Sequence, residues 1–424
     1  MTDSADFVVV GGGVGGLVLA RRLVLGGHTV ILVEASDHLG GTVARQTVGG
    51  VELDAGAESF ATRGGTVAKL AESLRLGDEV VEPNPAGAWL QPASGPAFRL
   101  PENSLLGIPG SPMARDVTAI IGMRAGWRAY FETLLPGTYG SKSATVGELV
   151  RKRMGATVVD ELVRPIARGV HSSDVDELQL DQAVPGLRAE LLRSGTLARA
   201  VRVLRDTSAR SGSAVAGIRG GVVRLVDELC ADLARFGVDV RVDSRATVVE
   251  NDHILVAGQR ITGKVVIAAP GLLDPSSQPG HRIVLATLVV DQPLLDAAPR
   301  GTGLLVAEGA PGIRARALTH STAKWSWLAE RTGGKHVLRL SYDDDSGGEL
   351  AEIARADAET LLAVPIPSRR VLDFARAEWY RPNRYTPTPD DIPLVGESIA
   401  GTGLASVVAR SESLATSLLN DVKG

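Results

Sequence analysis

Three glycines, Gly11, Gly13 and Gly16, stand in the spacing G-x-G-x-x-G inside the run Gly11-Gly12-Gly13-Val14-Gly15-Gly16. Each position has a physical task. The first permits a tight turn out of a strand, the second lets backbone approach a pyrophosphate, and the third lets a helix pack closely on a sheet. A helix starting there offers unpaired N–H groups and a partial positive charge to phosphate oxygens. About 20 residues further on stands Glu34, an acid placed to accept hydrogen bonds from a ribose hydroxyl. Alone, a glycine triplet is a weak signal, since glycine turns are common. Its weight comes from the order strand, glycines, helix, strand, acid.

That order is legible in the flanking residues. Phe7–Val10 is a short apolar run rich in β-branched residues, Leu17–Leu25 carries apolar residues at helical spacing, and His28–Val33 reads as a second strand ending at Glu34. Glycines recur at Gly40-Gly41, in Asp54-Ala-Gly-Ala-Glu-Ser59 and in Gly396–Leu404. One pyrophosphate does not need all of these. An extended cofactor with a ring system at its far end, FAD, could use them.

The expected fold is α/β, with a Rossmann-like dinucleotide domain of the glutathione-reductase type, a mixed-sheet substrate domain and a helical insert. The expected boundaries are 1–66, 213–282 and 376–424 for the first, 67–110 and 283–375 for the second, and 111–212 for the insert. In that insert Ile120, Met123, Trp127, Tyr130, Phe131 and Leu134 recur at helical intervals with few strand signals between them, so the stretch reads as mainly helical. Arg115, Asp116, Arg124 and Glu132 are interspersed as mixed charge, giving no clear basic amphipathic face.

Composition narrows the chemistry. The 424 residues carry 45 Lys+Arg against 49 Asp+Glu, a formal net charge of −4, which excludes a generally basic nucleic-acid binder. The single cysteine, Cys230, excludes an internal disulfide framework and a cysteine-rich metal site, and fits a reducing cytosol. No apolar run approaches the roughly 20 residues of a membrane-spanning helix. No Ser-His-Asp pattern or metal-ligand spacing is visible, and no metal is expected. His171 is the one histidine worth testing as a proton relay, and Arg63, Arg168 and Arg188 are candidate partners for carboxylates. Lys324-Trp325 reads as a strand residue beside a packed tryptophan.

Val8–Gly16, Glu34-Ala35, Leu39-Gly-Gly41 and Leu53–Ser59 together resemble the FAD-dependent porphyrinogen oxidases of the flavin amine oxidase superfamily. Phe60-Ala-Thr-Arg63, Leu106-Gly-Ile-Pro109, Pro165-Ile-Ala-Arg-Gly-Val-His171 and Asp176-Glu-Leu178 narrow the match, and Gly220-Gly221, Lys324-Trp325 and Leu338-Arg339 continue it. The resemblance covers nearly the whole chain and looks closest to the bacterial coproporphyrinogen III oxidases, with the protoporphyrinogen oxidases as near neighbours and the alternative reading. It implies FAD contacts at Gly11, Gly12, Gly13, Val14, Gly15, Gly16, Glu34, Ala35, Gly40, Gly41, Thr42, Gly56, Ala57, Glu58 and Ser59. It also implies a backbone contact to adenine at Ala246, and Trp379, Glu397, Thr402, Gly403 and Leu404 near the flavin end. Arg63 and Gly169 would border the substrate cavity.

The implied reaction oxidises a porphyrinogen to a porphyrin in haem biosynthesis, with molecular oxygen as final acceptor and peroxide as by-product. A ferrochelatase-type downstream enzyme and a peripheral contact at the inner face of the cell membrane belong to the same implication. Two departures stand out. Only Tyr380–Pro393 bridges a gap that is longer in the family, and Glu397 occupies a position more often Ala or Asp. An amine oxidase, which would carry a lysine where Leu285 stands and a second flavin-flanking aromatic, and a non-catalytic homologue are the rival readings.

Overall fold

The runs Phe7–Val10 and Val30–Val33 are apolar at every position because both faces of their strands are covered. Alternation divides the side chains. Phe7, Val9, Val30 and Leu32 enter one core with Leu17, Leu23, Leu229 and Leu418, while Val8, Val10, Ile31 and Val33 enter another with Val265, Ile267 and Leu394. The strands belong to a six-stranded sheet whose order is 239–241, 30–33, 4–10, 259–267, 253–256, 246–249. Its first four strands are parallel, and the last two return as antiparallel neighbours.

The computed structural model describes residues 3–93, 95–171, 174–209, 215–268, 280–343, 349–383 and 392–421, with only the backbone of Arg63, 169–171 and 207–209. The chain divides into two compact units, Met1–Pro83, Ala214–Leu285 and Ala375–Gly424 in the first, Asn84–Ser213 and Ala286–Phe374 in the second. In the first unit the helices Val14–Leu25, Arg224–Arg235 and Leu404–Asp421 share one core. A buried ion pair, Arg21 Nε to Asp232 at 2.8 Å, joins the first two. Asp54 accepts from Val222 N–H and Val223 N–H, both at 2.9 Å, so it steadies the turn into Arg224–Arg235. Gly221 is required beside it. Its φ is +105°, and a Cβ there would lie 2.9 Å from Asp54 Oδ1. Cys230 is partly buried against this core, and burial pushes its thiol up to about 11, so it stays protonated.

The second unit holds a seven-stranded sheet in the order 371–381, 281–290, 336–342, 317–320, 303–306, 89–91, 98–99. Strands His281–Val290 and Val371–Arg381 are also the stretches along which the chain passes between units. Its helices include Arg115–Tyr130, Val146–Met154, Leu187–Ser194 and Leu197–Ala209.

Among its described residues the 113–210 stretch is mainly helical as expected, and its periodic residues Met123, Trp127, Tyr130, Phe131 and Leu134 are exposed while Val117, Ile121 and Ala129 are buried. The backbone of Gly122 (φ 76°, ψ 159°) interrupts this helix. Glu132, one of the interspersed charges, is fully buried with Arg153 at 2.7 Å, and it also accepts from Leu197 N–H and Ala198 N–H at the start of a helix. Arg153 spends its remaining donors on the carbonyls of Pro136, Tyr139 and Gly195. A buried pair survives in this way, with nearly every lone pair and proton occupied. Lys324 ends a helical turn, Ser321–Lys324, rather than a strand, while Trp325 is packed as expected.

Candidate cofactor site

The turn out of strand Ser4–Val10 is set by Gly11, whose φ is +110°, and its N–H donates to Val33 O at 2.8 Å. Gly16 cannot carry a side chain, because a Cβ would fall 2.0 Å from Gly11 O. Gly12 is also crowded, by Leu39 and Glu34. Gly13 differs. A Cβ there would meet nothing within 4 Å, so its face opens into space. That space is a cavity of about 220 Å³ lined by Gly13, Val14, Gly15, Gly40, Gly41, Thr42, Val43, Ala57, Ala268, Trp379, Arg381, Gly396, Glu397, Gly403, Leu404 and Val407. Gly40 is drawn to the glycine run by its N–H to Gly12 O at 2.8 Å.

Helix Val14–Leu25 begins at Gly13 with no side-chain cap and no acid in its first turn. Leu404, which opens helix Leu404–Asp421, lines the same cavity. Two helix N-termini therefore present N–H groups and positive dipole ends toward one volume, an arrangement suited to phosphate and other electronegative oxygens. Gly403 has a positive φ of 99° and open space where a Cβ would lie.

Glu34 follows strand Val30–Val33. Its Oε1 accepts from Ser36 N–H and Oγ–H, both at 2.8 Å, and its Oε2 accepts from Gly12 N–H at 2.7 Å. Burial alone would raise its pKa. The donors from Ser36 and Gly12 outweigh that and hold the carboxyl below its ordinary range, so it is charged and fixed. Asp243 N–H donates to Ser36 O and Ser244 N–H to Glu34 O, which brings the start of strand Ala246–Val249 alongside. Ala246 is therefore near the acid's segment, though outside the cavity lining.

Glu397 and Arg381 face each other inside the cavity, Arg381 Nε to Glu397 Oε1 at 3.6 Å. Burial pushes the Glu397 carboxyl up, and Arg381 opposes the shift. Arg381 is a residue that sequence reading missed. It lies at the edge of a proline-rich stretch with no local pattern, whereas Val43, Ala268, Gly396 and Val407 were missed because apolar and glycine positions are common.

Of the expected contacts, Gly13, Val14, Gly15, Gly40, Gly41, Thr42, Ala57, Trp379, Glu397, Gly403 and Leu404 line the cavity together. Gly11, Gly12, Gly16 and Glu34 shape the cradle from behind or beside it. Gly56 is a packing position, since a Cβ there would lie 2.1 Å from Thr42 O. Ala35, Glu58, Ser59 and Thr402 are near in sequence and are not among the lining residues. Arg63 opens the 3₁₀ turn Arg63–Gly65 and Gly169 lies in helix Arg164–His171. Their side-chain surroundings, with those of His171, lie outside the described residues. Arg188 is committed elsewhere, to Asp181 and to the carbonyls of Ser141 and Ser143. Arg168 is paired with Glu308 and Asp174, and with Arg314 and Arg316 it lines a cavity of about 200 Å³. Among the described residues no group of three or more His, Cys, Asp or Glu could hold a metal.

An open glycine face, an uncapped helix start and a fixed carboxylate fit a dinucleotide. Comparison with known proteins gives its class. Residues 14–272 match the family of flavin containing amine oxidoreductases, and the chain belongs to that family. Its cofactor is FAD, one of the dinucleotides that a pyrophosphate cradle followed by a ribose acid can hold. Within the family, the coproporphyrinogen III oxidase of Mycobacterium tuberculosis (strain H37Rv) is 30% identical over 358 residues, 80% of this chain and 76% of that protein. The coproporphyrinogen III oxidase of Propionibacterium freudenreichii is 25% identical over 405 residues, 84% and 75% of the two chains. A solved structure, a candidate protoporphyrinogen oxidase of Exiguobacterium sp. 255-15, shares the fold with a TM-score of 0.82 at 21% identity over 98% of both chains.

Proposed function

We propose that this protein oxidises coproporphyrinogen III to coproporphyrin III, with molecular oxygen as the final electron acceptor. The observation that carries the reading is the similarity to coproporphyrinogen III oxidases along most of the chain, joined to a cavity with the features of an FAD cradle. Six hydrogens leave the substrate in three two-electron steps, and three molecules of oxygen become three of hydrogen peroxide. Bound FAD supplies the hydride acceptor.

The chain's own residues hold and orient. Backbone N–H groups at Gly13–Gly16 and at Leu404 would hold the electronegative oxygens of FAD, and Glu34 would accept from its ribose hydroxyl. Among the described cavity-lining residues there is no histidine, and the one acid, Glu397, is tied to Arg381. Such a site offers little general-base chemistry. It suits a substrate whose product gains aromaticity, so that positioning supplies most of the catalysis. Arg63 and Gly169 would border the substrate, and an arginine such as Arg168 would suit a propionate by its guanidinium fork. An amine oxidase is disfavoured by Leu285 at the expected lysine position and by Trp379 as the single aromatic among the described residues lining the cavity.

No helix among the described residues is long and apolar enough to cross a membrane. A peripheral contact would use the exposed face of Trp127, Tyr130 and Phe131, and a ferrochelatase-type enzyme would take the product. The test is fluorescence growth under air with coproporphyrinogen and protoporphyrinogen supplied separately. Faster growth with the first supports the reading. Faster growth with the second reassigns the substrate, and peroxide produced from amines with neither porphyrinogen oxidised refutes it.

A further inference from the structure

Strand Val371–Arg381 stands at one end of the seven-stranded sheet. Among the described residues it pairs with His281–Val290 on one side, and no strand lies along the other. None of its 11 residues is buried, whereas most of His281–Val290 is. Leu372 and Tyr380 are exposed apolar residues on it. A long open edge offers a row of backbone N–H and C=O groups to another strand, and proteins usually blunt such an edge with charges.

Here the charges form a pattern that matches itself. Asp373, Arg376, Glu378 and Arg381 alternate in sign along the strand. When the strand is laid antiparallel against its own copy about a two-fold axis at Ala377, residues equally far from 377 stand opposite one another. Arg376 faces Glu378 of the second copy, and Asp373 faces Arg381. Phe374 faces Tyr380, and Ala375 leaves room for Trp379. Every charge on the strand meets its opposite, and symmetry makes each pair occur twice. Opposite-charge and aromatic pairs are the contacts that stabilise adjacent strands.

Other registers lose this match. Sliding the copies by two residues in one direction sets Arg376 against Arg376, and in the other direction Glu378 against Glu378. Like charges directly opposite are destabilising. A slide by one residue brings no charge opposite another and turns the faces over. The central pair is also fixed in advance. Arg282 on the neighbouring strand holds the Glu378 carboxylate at 3.0 Å, and Arg376 contacts the same oxygen, Oε2. A carboxylate has about four lone-pair sites, so it can accept from a further guanidinium.

We propose that the protein forms a two-fold dimer in which strand Val371–Arg381 pairs antiparallel with its copy about Ala377, so that the two seven-stranded sheets run on as one. The interface is isologous, with Arg376 and Glu378 of each copy meeting Glu378 and Arg376 of the other. This pairing does not involve the redox reaction, and a monomeric protein would leave the proposed function untouched.

Sedimentation equilibrium of the FAD-loaded protein, from about 1 to about 100 μM, reads the assembly. The expected species has twice the chain mass. Arg376→Glu and Glu378→Arg each turn both symmetry-related central pairs from attraction to repulsion, and each should weaken the dimer by about tenfold or more. Mixing the two variants should restore it, because the mixed dimer again sets an acid opposite an arginine at both positions. Damage to the fold, or a role confined to one chain, would not be rescued by mixing. Ala377→Cys reads the register separately. Its two thiols would stand opposite one another at the axis, within disulfide reach, and should give a covalent dimer on mild oxidation. Ala375→Cys, on the same face, should not, because its two copies lie about 13 Å apart along the strands. The native Cys230 is partly buried and stays protonated, so it does not compete. A monomer across the whole range, a dimer indifferent to both charge reversals, no recovery on mixing, or equal cross-linking at the two alanine positions would overturn the proposal.

Discussion

The FAD cradle and the Glu132–Arg153 cluster solve opposite problems. The cradle leaves backbone groups exposed on purpose. Gly13 has open space above it, the helix behind it has no side-chain cap, and donors wait for an oxygen that the protein does not supply. The cluster leaves nothing exposed. Glu132 and Arg153 are fully buried, and between them they engage each other, two backbone N–H groups and three carbonyls from separate segments. Recognition is built where the fold leaves valences open, and rigidity where it closes them.

The largest effect that sharpens this contrast is Gly13→Val. The backbone at Gly13 is compatible with valine, and no protein atom stands in the way. The variant should therefore fold and yet lose its flavin, because the side chain occupies the pyrophosphate's approach. Gly16→Val should fail earlier, at folding, because its Cβ meets Gly11 O. Absorbance spectra and circular dichroism of the two purified proteins distinguish these outcomes. A yellow Gly13→Val protein would break the contrast.

Arg153→Met is the corresponding test of the closed region. It strands the Glu132 carboxylate without its partner, and should destabilise by about 3–5 kcal/mol. Urea denaturation followed at Trp127, in the neighbouring helix, reads this directly. A change under 1 kcal/mol would mean the cluster is not held by charge.

Next in size is a pH effect. Burial lowers the His320 pKa from its ordinary value to about 3, and His336 is lowered as well. Unfolded histidines take up protons near pH 6.5, while these two resist in the folded state. Stability is therefore full above pH 6.5 and lost as pH falls toward 3, by about 1.4 kcal/mol per pH unit for each histidine that titrates only when unfolded. His320→Gln should flatten the slope between pH 6.5 and 5. Asp174, lowered to about 2, contributes only below the ordinary carboxylate range and does not confuse that window. An unchanged slope would contradict the neutral assignment.

The smallest expected effect is on substrate handling. Arg63→Ala should raise KM for coproporphyrinogen by about tenfold or more, while flavin content stays near normal. An unchanged KM removes Arg63 from the substrate site.

The contrast also explains what the sequence could reveal. The cradle was legible because its parts are local. A strand, a glycine turn, a helix start and an acid occur in one short stretch, and each is tied to a residue type that few other settings require. The Glu132–Arg153 cluster was illegible. Glu132 sits among other charges, and only tertiary packing reveals that residues 132, 153 and 197 converge. The hydrogen-bonded chain Asp296–His336–His320 depends on strand pairing across a helical turn, and no spacing announces it.

The central claim is that a porphyrinogen delivers its electrons to the flavin held at Gly13. The most direct measurement is the visible flavin spectrum after anaerobic mixing of the FAD-loaded protein with coproporphyrinogen III. The account predicts bleaching of the flavin bands with growth of porphyrin fluorescence, reversed for the flavin when air is admitted. An oxidised spectrum that persists with coproporphyrinogen present, or one that bleaches only with amines, would contradict it.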